Sequence, residues 1–211
     1  MKEIEKLISG FNQFRKRYYE EDTELYKQLI SKGQSPKILV IACCDSRVHP
    51  AQTLNTDPGD IFVVRNVANV VPPCENDGKS HGTSAAIEYA VKQLGVMRII
   101  IFGHSHCGGV KSLMEDKGRD QDHGFIAPWM NIVAPAREKV RNEYSALTFA
   151  EQCRACEKEV IQISVNNLMT FPFVKEMVDK GDLILHGWYF DIEQGALFEW
   201  HAAERKFKPI N

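Results

Sequence analysis

At 211 residues with 44% hydrophobic composition, the chain can bury one sizeable core, so a single domain is expected. Its 26 basic and 28 acidic residues leave a net charge of −2 and no electrostatic footprint for nucleic acid or an anionic membrane, and no apolar run approaches a membrane span of ~18 residues. The charged N-terminal stretch lacks a secretory pattern, which predicts a reducing, cytoplasmic setting where clustered Cys and His point to metal or catalysis before disulfides.

Along residues 3–30, Ile4, Leu7, Ile8, Phe11, Phe14, Tyr18, Leu25, Leu29 and Ile30 recur at helical spacing and predict an amphipathic arm. After the break at 33–36, residues 37–42 are short, β-branched and apolar, as in a strand buried on both faces. A second strand is expected at 60–65, a helix at 82–94 and a third strand at 97–102 that delivers Gly103 and His104. A short helix at 110–117, a polar loop at 118–124 and helices near 132–142 and 148–169 follow. Strands at 183–190 and 196–200 flank Glu193-Gln194-Gly195, a hairpin signal. Together these predict a single-domain α/β fold: a mostly parallel sheet with helices on both faces, an antiparallel hairpin at an edge, and an N-terminal arm (1–32) attached to a core (36–211). Ligands of such sheets lie beyond the strands' carboxyl ends, near a switch point.

Two segments, Cys43-Cys44-Asp45-Ser46-Arg47 and His104-Ser105-His106-Cys107-Gly108-Gly109, stand at such ends and could build one zinc site, because thiolates plus an imidazole suit zinc and three protein ligands leave a fourth position open. Side chains alternate along a strand, so Cys43 and Cys44 face opposite ways. If Asp45 works beside the metal, Cys43 is the better ligand and Cys44 a small core residue. Cys107 falls at a helix N-terminus, which favours its thiolate. His106 competes as a ligand, since His104-x-His106 is also a chelating spacing. Gly108 and Gly109 allow close backbone approach and expose N–H donors. A phosphate-binding loop is out of frame, because Gly109 stands where lysine is required. Cys153 and Cys156 lack a second pair for a closed four-cysteine site and read as core, Cys74 as an unligated loop residue, and His81 as an ordinary histidine.

Read together, CCDSRV at 43–48 and HSHCGG at 104–109 resemble the C-x-D-S-R and H-x-x-C pair of the β-class carbonic anhydrases. The resemblance extends through Gly33-Gln34-Ser35-Pro36, residues 62–69, residues 85–90 and Leu185-His186-Gly187-Trp188-Tyr189. It implies Cys43, His104 and Cys107 as ligands of one zinc ion, Asp45 and Arg47 as the catalytic dyad, Gln34 and the Gly108 N–H as holders of the substrate oxygens, and Phe62, Val67 and Tyr89 as an apolar wall completed in part by a partner subunit. Val40 replaces the tryptophan of the bicarbonate-regulated branch, so the chain resembles the plant-type, unregulated one. The implied reaction is reversible hydration of carbon dioxide to bicarbonate and a proton, with a zinc-bound hydroxide oriented by Asp45 and Arg47. The implied assembly is a homodimer or higher even homo-oligomer in which the arm packs on a neighbour. Hydrolysis of carbonyl sulfide or carbon disulfide on the same site, and a non-catalytic zinc or redox module, are the competing readings.

Overall fold

The computed structural model describes residues 2–116 and 124–210 and divides them into an N-terminal unit up to Ser35 and a main unit from Pro36 onward. Residues 117–123, which hold most of the expected polar loop, lie outside the described residues.

In the N-terminal unit the helical periodicity is realised as α1 (Lys2–Arg15), a π-helical turn (Lys16–Glu21) and α2 (Glu24–Lys32). Phe14, Tyr18 and Tyr26 meet with ring centroids 5.0–5.6 Å apart and close the unit on itself. Ile4, Leu7, Ile8 and Phe11 form an exposed apolar stripe, each more than half accessible.

The main unit begins with β1 (Ile38–Cys43), then α3 (Pro50–Thr53), β2 (Ile61–Asn66), α4 (Gly82–Glu88) with a π-helical continuation (Tyr89–Leu94), and β3 (Arg98–His104). It continues through α5 (Gly108–Met114), α6 (Ile126–Asn131), α7 (Ala134–Glu143), α8 (Phe149–Leu168) and α9 (Pro172–Asp179) to β4 (Ile184–Asp191), β5 (Ala196–His201) and β6 (Lys206–Pro209). Six strands among the described residues form one sheet in the order β2-β1-β3-β4-β5-β6; the first four run parallel, and β5 and β6 extend it antiparallel. The expected edge hairpin therefore carries an additional strand, β6. The fold class agrees with the sequence expectation.

The order of pairing places the site. The chain leaves β1 toward β2 on one side and later returns to β3 on the other, so the switch point lies between β1 and β3. Alternate residues of these strands face opposite sides. Leu39, Ile41, Ile99 and Ile101 pack against Ile87 and Ala90 near α4, Ile161 and Leu168 of α8, and Val174 of α9. Val40, Ala42, Ile100 and Phe102 face the other way, against Leu54 after α3, Trp188, Phe190 and Leu197. A third cluster, containing Cys43, Val48, Ala68, Cys107, Val110, Met130, Val140, Cys153, Cys156 and Val160, surrounds the carboxyl ends of the strands. Cys153 and Cys156 are core residues, as expected.

Helix α8 starts at a capping box in which Thr148 and Glu151 satisfy each other's backbone N–H groups. Where it crosses β3, a Cβ on Gly103 would come 2.6 Å from Ile161, so only glycine lets α8 lie that close to the strand. This crossing seats α8 beside the exit of β3.

Candidate metal centre

Cys43 ends β1, His104 ends β3, and Cys107 is the residue from which α5 springs. Because β1 and β3 are hydrogen-bonded neighbours, their carboxyl ends bring the three together: one donor atom of each lies within 4.8 Å of the other two, and all three residues are buried. The sulfurs of Cys43 and Cys107 are 3.9 Å apart. His104 Nδ1 faces the Ser105 carbonyl at 2.8 Å, an oxygen that can only accept, so the proton sits on Nδ1 and the lone pair on Nε2. Among the described residues, Nε2 is buried without a hydrogen-bond partner.

These donors fit a borderline-soft cation. Two thiols this close cannot both ionise unaided, and the shared interaction lowers Cys43 while raising Cys107. The hydrogen bond shared with Cys43, then burial, then the charge of Cys43 push the Cys107 thiol up, against the thiolate-favouring effect expected of its helix terminus; α5 has only seven residues. A cation between the sulfurs would favour ionisation of both.

The turn from His104 to Cys107 is tight, with His106 at φ +60°, a left-handed conformation that is costly for a residue with a side chain. Ser105 anchors it: its N–H donates to the Phe190 carbonyl at 2.9 Å, and its Oγ accepts from the Ile192 N–H at 2.8 Å. His106 points to Glu193 at 2.6 Å and takes no part in the three-residue group. Cys107 N–H donates to Glu157 Oε1 at 3.0 Å.

Beyond Cys43 the chain turns outward. Cys44 is exposed, which corrects its expected place in the core: β1 ends at Cys43, and although the Cys44 N–H still donates to the Asn66 carbonyl of β2 at 2.8 Å, its side chain lies past the covered part of the sheet. Arg65 of β2 fixes this turn, donating from Nε to the Cys43 carbonyl at 2.9 Å and from Nη2 to the Asp45 carbonyl at 2.7 Å. Asp45 gives its N–H to the Cys43 sulfur at 3.4 Å, and its carboxylate receives Arg47 in bidentate fashion, Nε to Oδ1 at 2.9 Å and Nη2 to Oδ2 at 2.7 Å. Arg47 Nη2 also reaches the His106 carbonyl at 3.0 Å, linking the two strand exits. These bonds from Arg47 hold the Asp45 carboxyl well below the usual carboxylate range.

Of the other residues singled out, Gly108 opens α5 at the surface, and a Cβ there would meet nothing within 4 Å, leaving room beside Cys107. Gly109 is where close approach matters, because a Cβ would come 2.8 Å from Val67 and 3.1 Å from Ala68. Val67 is held there by Trp129, whose Nε1 donates to its carbonyl at 2.8 Å. Phe62 and Tyr89 pair with each other, centroids 5.9 Å apart, but not with this group. Phe62 is in register with Leu39, four residues or about 13 Å below Cys43 on the strand. Gln34 is exposed in the N-terminal unit. His81 pairs with Asp77 at 2.8 Å. Sequence reasoning assigned no part to Arg65, Ser105 or Glu157; of these only Glu157 carries a signal, an acid on the apolar stripe of a predicted helix.

A family model described as carbonic anhydrase matches residues 38–197. The chain is 42% identical over 199 residues to β carbonic anhydrase 3 of Arabidopsis thaliana, which covers 93% of this chain and 76% of that protein. It is similar to the solved structure of the β-carbonic anhydrase CcaA, with a TM-score of 0.92 and 34% identity over 100% of this chain and 93% of that one. It is also similar to a tetrameric β-carbonic anhydrase of the filamentous ascomycete Sordaria macrospora, with a TM-score of 0.82 and 30% identity over 94% of this chain and 97% of that one. A buried Cys-His-Cys group at the switch point of a fold shared this closely leads to one conclusion: the chain belongs to the β-carbonic anhydrases.

Proposed function

We propose that the protein catalyses the reversible hydration of carbon dioxide to bicarbonate and a proton, with one zinc ion held by Cys43, His104 and Cys107. The observation that carries this is the bare, buried Nε2 of His104 beside two close sulfurs. When bound, zinc supplies Lewis acidity that lowers the pKa of water and makes a nucleophile near neutral pH. Two thiolate ligands offset the ion's charge more than histidines would, so activity is expected to climb toward mildly alkaline pH.

Asp45, kept ionised by Arg47, accepts the proton of the attacking oxygen in a hydrogen bond and so turns a lone pair toward the substrate. Arg47 holds both carboxylate oxygens and keeps Asp45 from competing as a ligand, in keeping with the unregulated branch; Val40 is buried in β1. Val67 packs against the cluster around Cys43 and Cys107, and Gly108 follows Cys107 at the start of α5; there an apolar wall and a backbone donor suit a small, uncharged, linear substrate. Phe62, Tyr89 and Gln34 complete the pocket from a second copy of the chain, which makes the working unit a homodimer or a higher even homo-oligomer. The half-exposed ring of Tyr89 and the apolar stripe of α1 support that arrangement. Among the described residues no helix is long and apolar enough to cross a membrane. We place the enzyme in the cytoplasm, a reducing setting that suits its unpaired cysteines.

Zinc quantitation joined to stopped-flow carbon dioxide hydration across pH tests the reading. Wild type should hold one zinc per chain and gain activity toward alkaline pH, and Cys107→Ser should lose both. A zinc-free, inactive wild type would contradict it.

A further inference from the structure

The inward stripe of α8 is made of Cys153, Cys156, Glu157, Val160, Ile161, Ser164 and Leu168, all buried. Glu157 is its one acid, and its side chain is only 2% exposed. A carboxyl in such a place is costly unless donors surround it. Here they do: Cys107 N–H at 3.0 Å and Arg154 Nη2 at 2.8 Å on Oε1, and Tyr189 OH at 3.0 Å on Oε2. The groups come from the start of α5, from α8 itself and from β4.

The rest of the turn is anchored through Ser105 and through the His106 carbonyl. The Cys107 carbonyl takes the Lys111 N–H at 2.9 Å as α5 begins, and among the described residues Glu157 is the side chain that takes up the Cys107 N–H, directly after the strained His106. Resting on the zinc reading above, we propose that Glu157 is a positioning residue for Cys107: by fixing the Cys107 N–H it aims the Cys107 sulfur at Cys43 and His104. Arg154 and Tyr189 fix the carboxyl that does the fixing, so the metal ligand is braced from both α8 and β4. The arrangement parallels outer partners of metal ligands, whose loss costs about 10–100-fold in affinity.

The test uses the zinc-loaded protein as wild type, Glu157→Ala, Glu157→Gln and Tyr189→Phe. Zinc affinity is read by chelator competition, and ligand geometry by the thiolate-to-metal charge-transfer band of the cobalt-substituted proteins. Glu157→Ala should weaken zinc about 10–100-fold and alter the band. Glu157→Gln should restore most of the loss, because its amide oxygen can still accept from Cys107, and Tyr189→Phe should fall between it and wild type. If Glu157→Ala melts earlier yet keeps wild-type zinc affinity and an unchanged band, Glu157 only packs the helix and the proposal is overturned. Should Glu157→Ala fail to fold, wild-type affinity and band in both Glu157→Gln and Tyr189→Phe overturn it equally. A wild type that takes up no zinc overturns the zinc reading and this inference together, whereas zinc uptake with unmoved variants overturns this inference alone.

Discussion

The two strand exits that meet at the candidate site are held in opposite ways. The β3 exit is buried: His104, Ser105 and Cys107 are each at most 2% exposed, tied to β4 by Ser105 and to α8 by Glu157. The β1 exit opens to solvent one residue after its ligand, with Cys44 exposed and half of the Arg47 side chain accessible. Between the buried Cys43 and Val48 its order comes from two arginines that grip carbonyls and a carboxylate. The contrast divides the labour. A metal donor gains from a fixed, dry position, whereas a group that must meet water and a small substrate has to stand at the edge of that position.

Mutations on each side should therefore fail differently. The largest effect is expected at the buried exit: His104→Ala removes the one imidazole donor, and after dialysis zinc and activity should both drop to background. Full zinc occupancy in that variant would mean that the β3 exit is not the scaffold. Asp45→Asn at the open exit should keep its zinc and lose hydration activity by about 10²-fold, the low end of positioned proton-handling groups. Near-full activity with zinc bound would remove Asp45 from the reaction.

Gly109→Ala probes packing at the foot of α5. A Cβ at 2.8 Å from Val67 and 3.1 Å from Ala68 should cost about 1–3 kcal/mol in urea unfolding, and a neutral result would show that α5 has room to move. The smallest effect belongs to Arg47→Ala, since the Asp45 pair is partly solvated: no more than about 1 kcal/mol of stability at neutral pH. Its sign with pH follows from the lowered carboxyl of Asp45. The stabilisation is present above the usual carboxylate range and lost as pH falls through the lower value of the folded state. Wild type and Arg47→Ala should accordingly converge in acid, and a difference that grows in acid would reverse the assignment.

The β1 and β3 strands could be read from sequence because buried parallel strands are continuous apolar runs, and each ends in its motif. The long helix α8, expected near 148–169, runs Phe149–Leu168 behind the Thr148-Glu151 capping box that the structure shows. Helix α9 and strand β6 were missed. Pro172 masks the first, and the short, charge-flanked Lys206–Pro209 gives no strand pattern, being ordered by pairing with β5. In the site, the ligands were readable but not what braces them, for opposite reasons in the two exits. Cys44 misled because strand alternation ends where the strand ends. Glu157 and Arg65 could not be placed because their partners lie 50 and 22 residues away, a separation that only the fold closes.

X-ray absorption at the zinc edge of the purified enzyme reads the ligand set itself. Two sulfur ligands near 2.3 Å, one imidazole nitrogen near 2.0 Å and one further light atom are expected, with about one zinc per chain. A shell of four sulfurs, a shell with two imidazoles, or no bound zinc would contradict the union of the two strand exits in one open metal site.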